Sequence, residues 1–227
     1  MPKPGIIIQA RMGSTRLPGK VLMPLCGLPM LHHLWLRMKA SRVQNVIIAT
    51  TLNEEDDAIE DWAKKNGILL FRGSADNVLE RYIRAAEIFE VDPLIRVTGD
   101  NPLTAPEIID DMLGAFIAEK VDYMTASGLP VGISAEIVNY NCLKSLLTRN
   151  LLPRHYEHVT LFIKENPGYF KIKLLPSPPA LAYPHLRLTV DTSEDFHLME
   201  EIFEKFYRPG RTIQLTDVIN WLKQTRR

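Results

Sequence analysis

Short apolar runs alternate along the chain with longer amphipathic stretches, and the runs have the length of buried strands. Because strands that alternate with helical stretches form mostly parallel sheets, this pattern predicts an α/β fold with helices on both faces of the sheet. The predicted strands are residues 6–8, 46–50, 68–71, 94–98, 121–125, 170–175 and 186–190.

Helices are predicted between these runs. Asn53 and Asp56 suit the start of a helix that ends at Gly67. Residues 76–89 carry apolar side chains on one helical face, and Pro106 fits the first turn of a helix that continues to about residue 120. Further helices are predicted at residues 154–165 and near the C-terminus, where an apolar stripe with helical spacing indicates core packing: Phe196, Met199, Ile202, Phe203 and Phe206.

The pattern becomes less regular after residue 126, where glycines and prolines interrupt it. We therefore predict one domain over residues 1–227, with a core of residues 1–126 and 186–227 and a smaller lobe of residues 127–185. A chain of 227 residues can bury enough apolar surface to fold without disulfides or a structural metal.

The charge balance argues against some classes of partner. Lys+Arg and Asp+Glu both number 27, so the formal net charge is zero, unlike that of a protein that mainly binds nucleic acid or an anionic membrane. No apolar stretch approaches the length of a membrane span. The two cysteines, Cys26 and Cys142, form no C-x-x-C pair, so we expect two buried thiols in a reducing cytoplasm.

The segment from Gln9 to Lys20 follows the first predicted strand and concentrates positive charge. Arg11, Arg16 and Lys20 lie within ten positions, together with two glycines and two hydroxyl side chains. Three cations on a short loop repel one another, whereas glycine backbone, arginine and lysine together suit the binding of phosphate. Ligands of open α/β sheets bind at this edge of the sheet. The segment therefore predicts a phosphate site, the alternative being a solvated basic loop.

Known phosphate-loop motifs do not account for this segment. Five residues separate Gly13 from Gly19, and Val21 stands where a Walker A loop has Ser or Thr. A G-x-G-x-x-G fingerprint is also missing from the sequence, which disfavours dinucleotide binding.

Two aspartates follow predicted strands: Asp100 after residues 94–98 and Asp191 after residues 186–190. Mg²⁺ prefers oxygen ligands and usually takes one or two carboxylates together with phosphate oxygens and water. A cationic loop with two such aspartates predicts a nucleotidyl-transfer site. In the alternative account, Asp191 or Ser193 caps the following helix and Asp100 stabilises a turn before Pro102.

The 9–20 segment resembles the first motif of the cytidylyltransferases that make CMP-activated sugars, most closely the spore-coat polysaccharide biosynthesis protein F family. That family is similar to CMP-KDO and CMP-sialate synthetases, and the resemblance extends over nearly the whole chain. It implies a Rossmann-like sheet of the nucleotide-diphospho-sugar transferase type, with a lobe that covers the acceptor and contacts a second copy in a homodimer. It also implies binding of the CTP triphosphate by Arg11, Ser14, Arg16 and Lys20, in a segment where Gln9 and Ala10 also contact substrate.

The resemblance assigns further residues. CMP-KDO synthetases carry metal aspartates in G-D-x-P-L and D-T-x-E-D segments, which match Asp100 and Asp191, but Thr98 replaces their glutamine at a nucleoside contact. The other implied substrate contacts are Ser74 and Asp76 for the nucleoside and Glu136, His155, Glu157 and His158 for the acceptor. Helix capping is the alternative for Ser74 and Asp76.

His155 and His158 would share one face of a helix over residues 154–165, with no third metal ligand at the next turn. We therefore expect an acceptor contact or a dimer surface there rather than a zinc site. The predicted function is Mg²⁺-dependent transfer of CMP from CTP to a sugar acid or related polysaccharide precursor. The alternatives are a nucleotidyltransferase with another base or a phosphorylated or phosphonate acceptor, and a catalytically silent nucleotide-binding protein.

Overall fold

The computed structural model describes residues 3–225, and their central feature is a seven-stranded sheet. The strands are β1 (Lys3–Gln9), β2 (Pro24–Leu25), β3 (Leu28–Pro29), β4 (Asn45–Thr51), β5 (Leu69–Gly73), β6 (Val91–Thr98), β7 (Tyr123–Ser127), β8 (Glu136–Val138) and β9 (Ile172–Pro176). The large sheet has the order β5-β4-β1-β6-β8-β7-β9, and only β8 runs antiparallel to its neighbours. The predicted mostly parallel sheet is confirmed.

Helices cover both faces of this sheet. They are α1 (Met30–Met38), α2 (Asp57–Lys65), α3 (Val78–Ile88), α4 (Pro106–Glu119), α5 (Tyr140–Ser145), α6 (Pro153–Glu157), α7 (Leu161–Glu165), α8 (Ser193–Phe206) and α9 (Leu215–Thr225). Because side chains alternate along a strand, Ile6 and Ile8 of β1 pack into one apolar cluster with α1, α2, α4, α8 and α9, whereas Ile7 packs into a second cluster with α3, α5 and α7. Both clusters are fully buried around β1, which explains its three consecutive isoleucines.

The predicted strand at 186–190 is wrong. Leu188 and Val190 are buried, but the segment forms only an isolated bridge between Val131 and Arg187. Its backbone bonds go to two loops instead, since Leu188 N donates to Val131 O at 2.8 Å and Val190 N donates to Asp100 O at 2.9 Å. The apolar run therefore predicted correctly that this segment is buried, but the segment does not pair as a strand.

The predicted helix at 154–165 is interrupted. It forms the two short helices α6 and α7, and Val159 between them has a positive φ of 42°. A helix cannot continue through a residue in this conformation, so side chains before and after Val159 do not share a continuous face.

The sequence pattern did not predict α1, α5 or the β2–β3 hairpin. Cys26 and Gly27 form the tip of this hairpin with φ of 46° and 83°. Left-handed conformations at both positions are typical of tight hairpin turns. The tip is exposed, so the expectation that Cys26 is buried is wrong, whereas Cys142 is buried as expected.

The predicted lobe shares the main sheet with the core. Residues 127–185 contribute β8 and β9, and β8 lies between β6 and β7. The roles predicted for this lobe, acceptor cover and dimer contact, remain predictions. Within residues 3–225, no helix has both the length and the apolar character needed to cross a bilayer.

Gly132 allows the chain to pass close to the 186–190 segment, and its replacement tests this packing. Its φ is +98°, and an added Cβ would lie 2.7 Å from Thr189 N and 2.8 Å from the carbonyl carbon of Leu188. We expect Gly132→Ala to lower the free energy of unfolding by about 2–3 kcal/mol. Urea unfolding monitored by circular dichroism measures this change.

Gly114→Ala is the matched control. Gly114 lies in α4 with nothing within 4 Å of an added Cβ. The substitution should raise the free energy of unfolding by about 0.5–1 kcal/mol, because alanine restricts the unfolded chain and favours helix. Equal effects of the two substitutions would contradict the packing described for Gly132.

Candidate active site

A polar cavity of about 330 Å³ lies over the carboxyl ends of β1 and β6. The two strands are adjacent and parallel, so the loops that follow them meet at this edge of the sheet. Eleven of the predicted site residues line the cavity: Gln9, Ala10, Arg11, Ser14, Arg16, Lys20, Thr98, Asp100, Glu157, His158 and Asp191. The cationic loop and both aspartates therefore face one shared space, as the sequence predicted.

Lys20 joins the two aspartates. Its ammonium lies 3.1 Å from Asp100 Oδ2 and 3.1 Å from Asp191 Oδ1, and it donates to Val190 O at 2.6 Å. The lysine side chain is only 8% exposed, so these ion pairs are poorly screened by solvent. Lys20 thus brings two carboxylates that are distant in sequence to a common point.

Asp191 also interacts with two arginines. Arg16 Nη2 lies 2.8 Å from Asp191 Oδ1, and Arg187 donates to Asp191 Oδ2. Partial burial raises the pKa of Asp191, but hydrogen bonds from Lys20 and Arg187 outweigh this effect and hold the pKa below its ordinary value. Asp191 is therefore charged at neutral pH and balanced by three cations, two from the 9–20 segment and one four residues before it in the chain.

Close backbone contacts hold the two loops together. Gly99 N donates to Gln9 O at 2.7 Å, and an added Cβ at Gly99 would lie 2.9 Å from that oxygen. The hydrogen bond from Val190 N to Asp100 O connects the segment that carries Asp191. These contacts require glycine at position 99 and bring Asp100 towards Asp191.

Asp56 shapes the cationic loop. Its fully buried carboxylate accepts hydrogen bonds from Met12 N at 2.6 Å and from the backbone and hydroxyl of Thr51. Asp56, which the sequence predicted at the start of a helix, thus connects the segment after β4 with the loop after β1. This second role was not visible in the local sequence.

Asp191 does not cap the helix that follows it. Thr192 accepts from Asp195 N, and Asp195 accepts from Thr192 N, so these two residues form a capping box. The turn after Asp100 is likewise held by other residues, with Asn101 Nδ2 donating to Thr98 Oγ1 at 2.7 Å. Capping by Asp191 or Ser193 is therefore wrong, and the side chain of Asp100 accepts a hydrogen bond from Lys20 rather than from its own turn.

The two predicted histidines lie in different environments. His155 is buried, where its Nδ1 accepts from Leu152 N at 3.0 Å and its Nε2 pairs with Glu165 at 2.9 Å. His158, by contrast, lines the cavity beside Glu157. The expected shared face does not form, because α6 ends at Glu157.

Glu136 lies in β8 and does not line the cavity. Its carboxylate accepts from Arg96 at 2.7 Å, Tyr123 at 2.7 Å, Thr160 at 2.9 Å and Lys164 at 2.9 Å. Burial raises the pKa of Glu136, but Arg96 and Lys164 outweigh this effect and hold it at about 2. The geometry gives Glu136 a structural role, and its predicted contact with a sugar hydroxyl remains a prediction.

Ser74 and Asp76 also lie outside the cavity lining. Ser74 Oγ accepts from Asn77 N at 3.0 Å, whereas Asp76 is exposed. The residue that caps α3 is Asn77, whose side chain accepts a hydrogen bond from Glu80 N at 2.9 Å. The predicted capping residues, Ser74 and Asp76, lie three positions and one position before the observed cap.

Sequence reasoning missed two arginines of the cavity, Arg81 and Arg96. Arg81 lies within α3, and Arg96 within β6, where its guanidinium also lies 5.9 Å from the ring centre of Tyr82. A cation within an otherwise apolar helical face or strand was the signal that could have identified them.

The fold and the cavity together define an α/β protein of the nucleotidyltransferase class, in which a cationic loop and the carboxylates of Asp100 and Asp191 share one site. A family model described as cytidylyltransferase matches residues 5–218. The chain therefore belongs to the cytidylyltransferase family.

Individual relatives agree with this assignment. The chain is 40% identical over 205 residues to the spore coat polysaccharide biosynthesis protein SpsF of Bacillus subtilis, covering 88% of this chain and 85% of the relative. A solved cytidylyltransferase from Leptospira borgpetersenii superposes with a TM-score of 0.91 at 34% identity, over 100% of this chain and 96% of the other. A CMP-KDO synthetase solved with CTP shares the fold, with a TM-score of 0.66 at 18% identity over 89% of this chain and 99% of the other.

The Glu136 network predicts a pH-dependent stability. Because the folded pKa of about 2 lies below the unfolded value of about 4.3, this carboxylate stabilises the fold above about pH 4, and the contribution is lost as the pH falls towards 2. Glu136→Gln should lower the free energy of unfolding by about 3 kcal/mol at pH 7, since it leaves Arg96 buried without its partner. The deficit relative to the wild type should shrink between about pH 4 and pH 2 in urea unfolding.

Glu119→Gln provides the control, because Glu119 pairs with Lys173 at the surface and is 41% exposed. Its effect should stay within about 0.5 kcal/mol at every pH. A constant deficit for Glu136→Gln from pH 7 to pH 2 would contradict the low pKa.

Proposed function

We propose that this protein transfers CMP from CTP to a sugar acid or related polysaccharide precursor, releases pyrophosphate and depends on Mg²⁺. The observation that carries the proposal is the contact of Lys20 with both Asp100 and Asp191 in a cavity that Arg16 also lines. This arrangement combines cations for a triphosphate with carboxylates for a metal ion.

The residues fit a magnesium ion. Asp100 Oδ2 and Asp191 Oδ1 each lie 3.1 Å from Lys20 Nζ, so the two carboxylates already converge on one positive charge. Among residues 3–225, no group of three or more His, Cys, Asp or Glu could hold a metal, so any further ligands would come from substrate or water. Mg²⁺ commonly binds in this way, through one or two carboxylates with phosphate oxygens. When bound by Asp100 and Asp191, it would offset charge on the reacting phosphates.

The proposed reaction is an in-line displacement at the α-phosphorus of CTP. A hydroxyl oxygen of the acceptor forms a new P–O bond and releases its proton to water, the bond to the bridging oxygen of the β-phosphate breaks, and the electron pair leaves with pyrophosphate. In this proposal Arg11, Arg16 and Lys20 neutralise the phosphates, and Ser14 contributes a hydroxyl; all four line the cavity. Positioning and charge neutralisation supply most of the rate in such reactions, so the chemistry needs no dedicated general base.

The names of two relatives support the proposed class of acceptor. The names of the Bacillus subtilis relative and of the solved synthetase refer to a spore coat polysaccharide and to 2-keto-3-deoxy-manno-octonic acid. We therefore propose an acidic sugar or another polysaccharide precursor as acceptor, bound with CTP by a cytoplasmic homodimer.

Nucleotide binding and product formation test this function separately. Thermal unfolding with CTP, UTP, ATP or GTP, each with and without Mg²⁺, should show the largest rise in melting temperature with CTP. Incubation with CTP, Mg²⁺ and a panel of acidic sugars should yield pyrophosphate and a CMP conjugate detectable by mass spectrometry. A larger rise with another nucleotide would indicate a different donor, and binding of CTP without any conjugate would indicate a silent nucleotide-binding protein.

Asp191→Asn tests the role of the carboxylate without changing its shape. We expect the rate of pyrophosphate release to fall by about 100-fold or more, because a neutral amide cannot balance the cations of the site or hold a metal in the same way. Asp111→Asn, on the exposed side of α4, is the control and should retain the wild-type rate. Wild-type turnover by Asp191→Asn, in a protein with unchanged circular dichroism, would refute the assignment.

A further inference from the structure

Arg81 is a buried cation that no carboxylate balances. Its residue exposure is 2%, and within residues 3–225 it forms no salt bridge. One guanidinium nitrogen, Nη1, donates to Ser74 O, while Nε is buried without a hydrogen-bond partner. Removing a charge from water without a counter-charge is costly, and the single bond to Ser74 O satisfies only part of the guanidinium.

The other cations of the cavity each have an acidic partner. Lys20 and Arg16 contact Asp191, Arg96 contacts Glu136 at 2.7 Å, and Arg11 lies 3.4 Å from Glu157. Their charges are therefore at least partly balanced before any substrate binds. Arg81 differs from them in this respect, although it lines the same cavity.

The surroundings of Arg81 favour the binding of a negatively charged group. Burial lowers the pKa of Arg81, and the nearby positive charge of Arg11 acts in the same direction. Asp56 and Glu157 act in the opposite direction without outweighing burial, and neither forms a salt bridge with Arg81. The bond to Ser74 O could be supplied by a neutral donor, since a backbone carbonyl accepts from any N–H group. A guanidinium, by contrast, offers a planar set of donors that matches two oxygens of a phosphate or carboxylate.

We propose that Arg81 binds an oxyanion of the substrates, in a subsite beside Arg11 that is separate from the Lys20–aspartate cluster. This inference rests on the proposed function, because the oxyanion would be either a phosphate group of the nucleotide or the carboxylate of an acidic acceptor. Binding would supply the negative charge that the free protein lacks at Arg81, so affinity for substrate depends on this arginine.

The test compares three variants. Arg81→Met removes the charge and keeps an apolar side chain, whereas Arg81→Lys keeps the charge without the planar donor set. Arg84→Met is the matched control, since Arg84 lies three residues further along α3, is 63% exposed and pairs with Glu87 at the surface. For each protein, urea unfolding gives the stability of the free form. Calorimetric titration then gives the affinities for CTP with Mg²⁺, for pyrophosphate, and for 3-deoxy-manno-octulosonate in the presence of CMP.

The two sources of the oxyanion give different results. A loss of about tenfold or more in affinity for CTP and pyrophosphate in Arg81→Met assigns the residue to phosphate. An equal loss for the acidic sugar, with nucleotide affinity retained, assigns it to the acceptor carboxylate. In either case Arg81→Lys should recover part of the affinity, Arg84→Met should match the wild type, and free Arg81→Met should unfold at a urea concentration no lower than the wild type, because an unbalanced buried charge has been removed.

The proposal is overturned if Arg81→Met binds CTP, pyrophosphate and the sugar acid within about twofold of the wild type. It is also overturned if the variant loses stability while its folded fraction binds normally, since that result describes a structural arginine. Failure of the proposed function is distinguishable, because it appears as absence of CTP-dependent pyrophosphate release in the wild type. The pyrophosphate titration still tests Arg81 in that event.

Discussion

The site depends on one buried ammonium group, that of Lys20, placed between two carboxylates. Asp100 and Asp191 would repel each other at this spacing without a cation between them, and Lys20 itself is nearly closed to solvent. The three residues come from three distant parts of the chain, so their mutual attraction is a tertiary constraint.

The surrounding fold maintains this arrangement by close backbone approach rather than by long side chains. Gly99 allows the end of β6 to contact the end of β1, and Val190 N binds the carbonyl of Asp100. Asp56 fixes the start of the cationic loop through Met12 N. Hydrogen bonds thereby connect three loops from separate parts of the chain at one edge of the sheet.

Two arginines that line the cavity differ in how their charge is balanced. Arg96 and Glu136 form a buried pair supported by Tyr123, Thr160 and Lys164, and this pair is balanced within the protein. Arg81, which lines the same cavity, has no carboxylate in salt-bridge contact within residues 3–225. The two arginines therefore share a cavity but differ in the charge that the protein itself supplies to them, and this difference supports a ligand contact for Arg81.

The sequence by itself determined the fold class, the cationic loop and the two aspartates, because each depends on a local pattern. Apolar runs identify the buried segments of the chain, and the charged residues of the site follow these runs: Arg16, Lys20, Asp100 and Asp191. The family was recognisable from the same motifs. Only the tertiary structure decided that residues 186–190 bond to loops instead of a strand, that His155 turns away from His158, and that Glu136 is paired below the cavity. It also brought Arg81 to the cavity. These outcomes depend on which distant residues form hydrogen bonds with each backbone group and ion pairs with each buried charge. The local sequence pattern does not identify these partners.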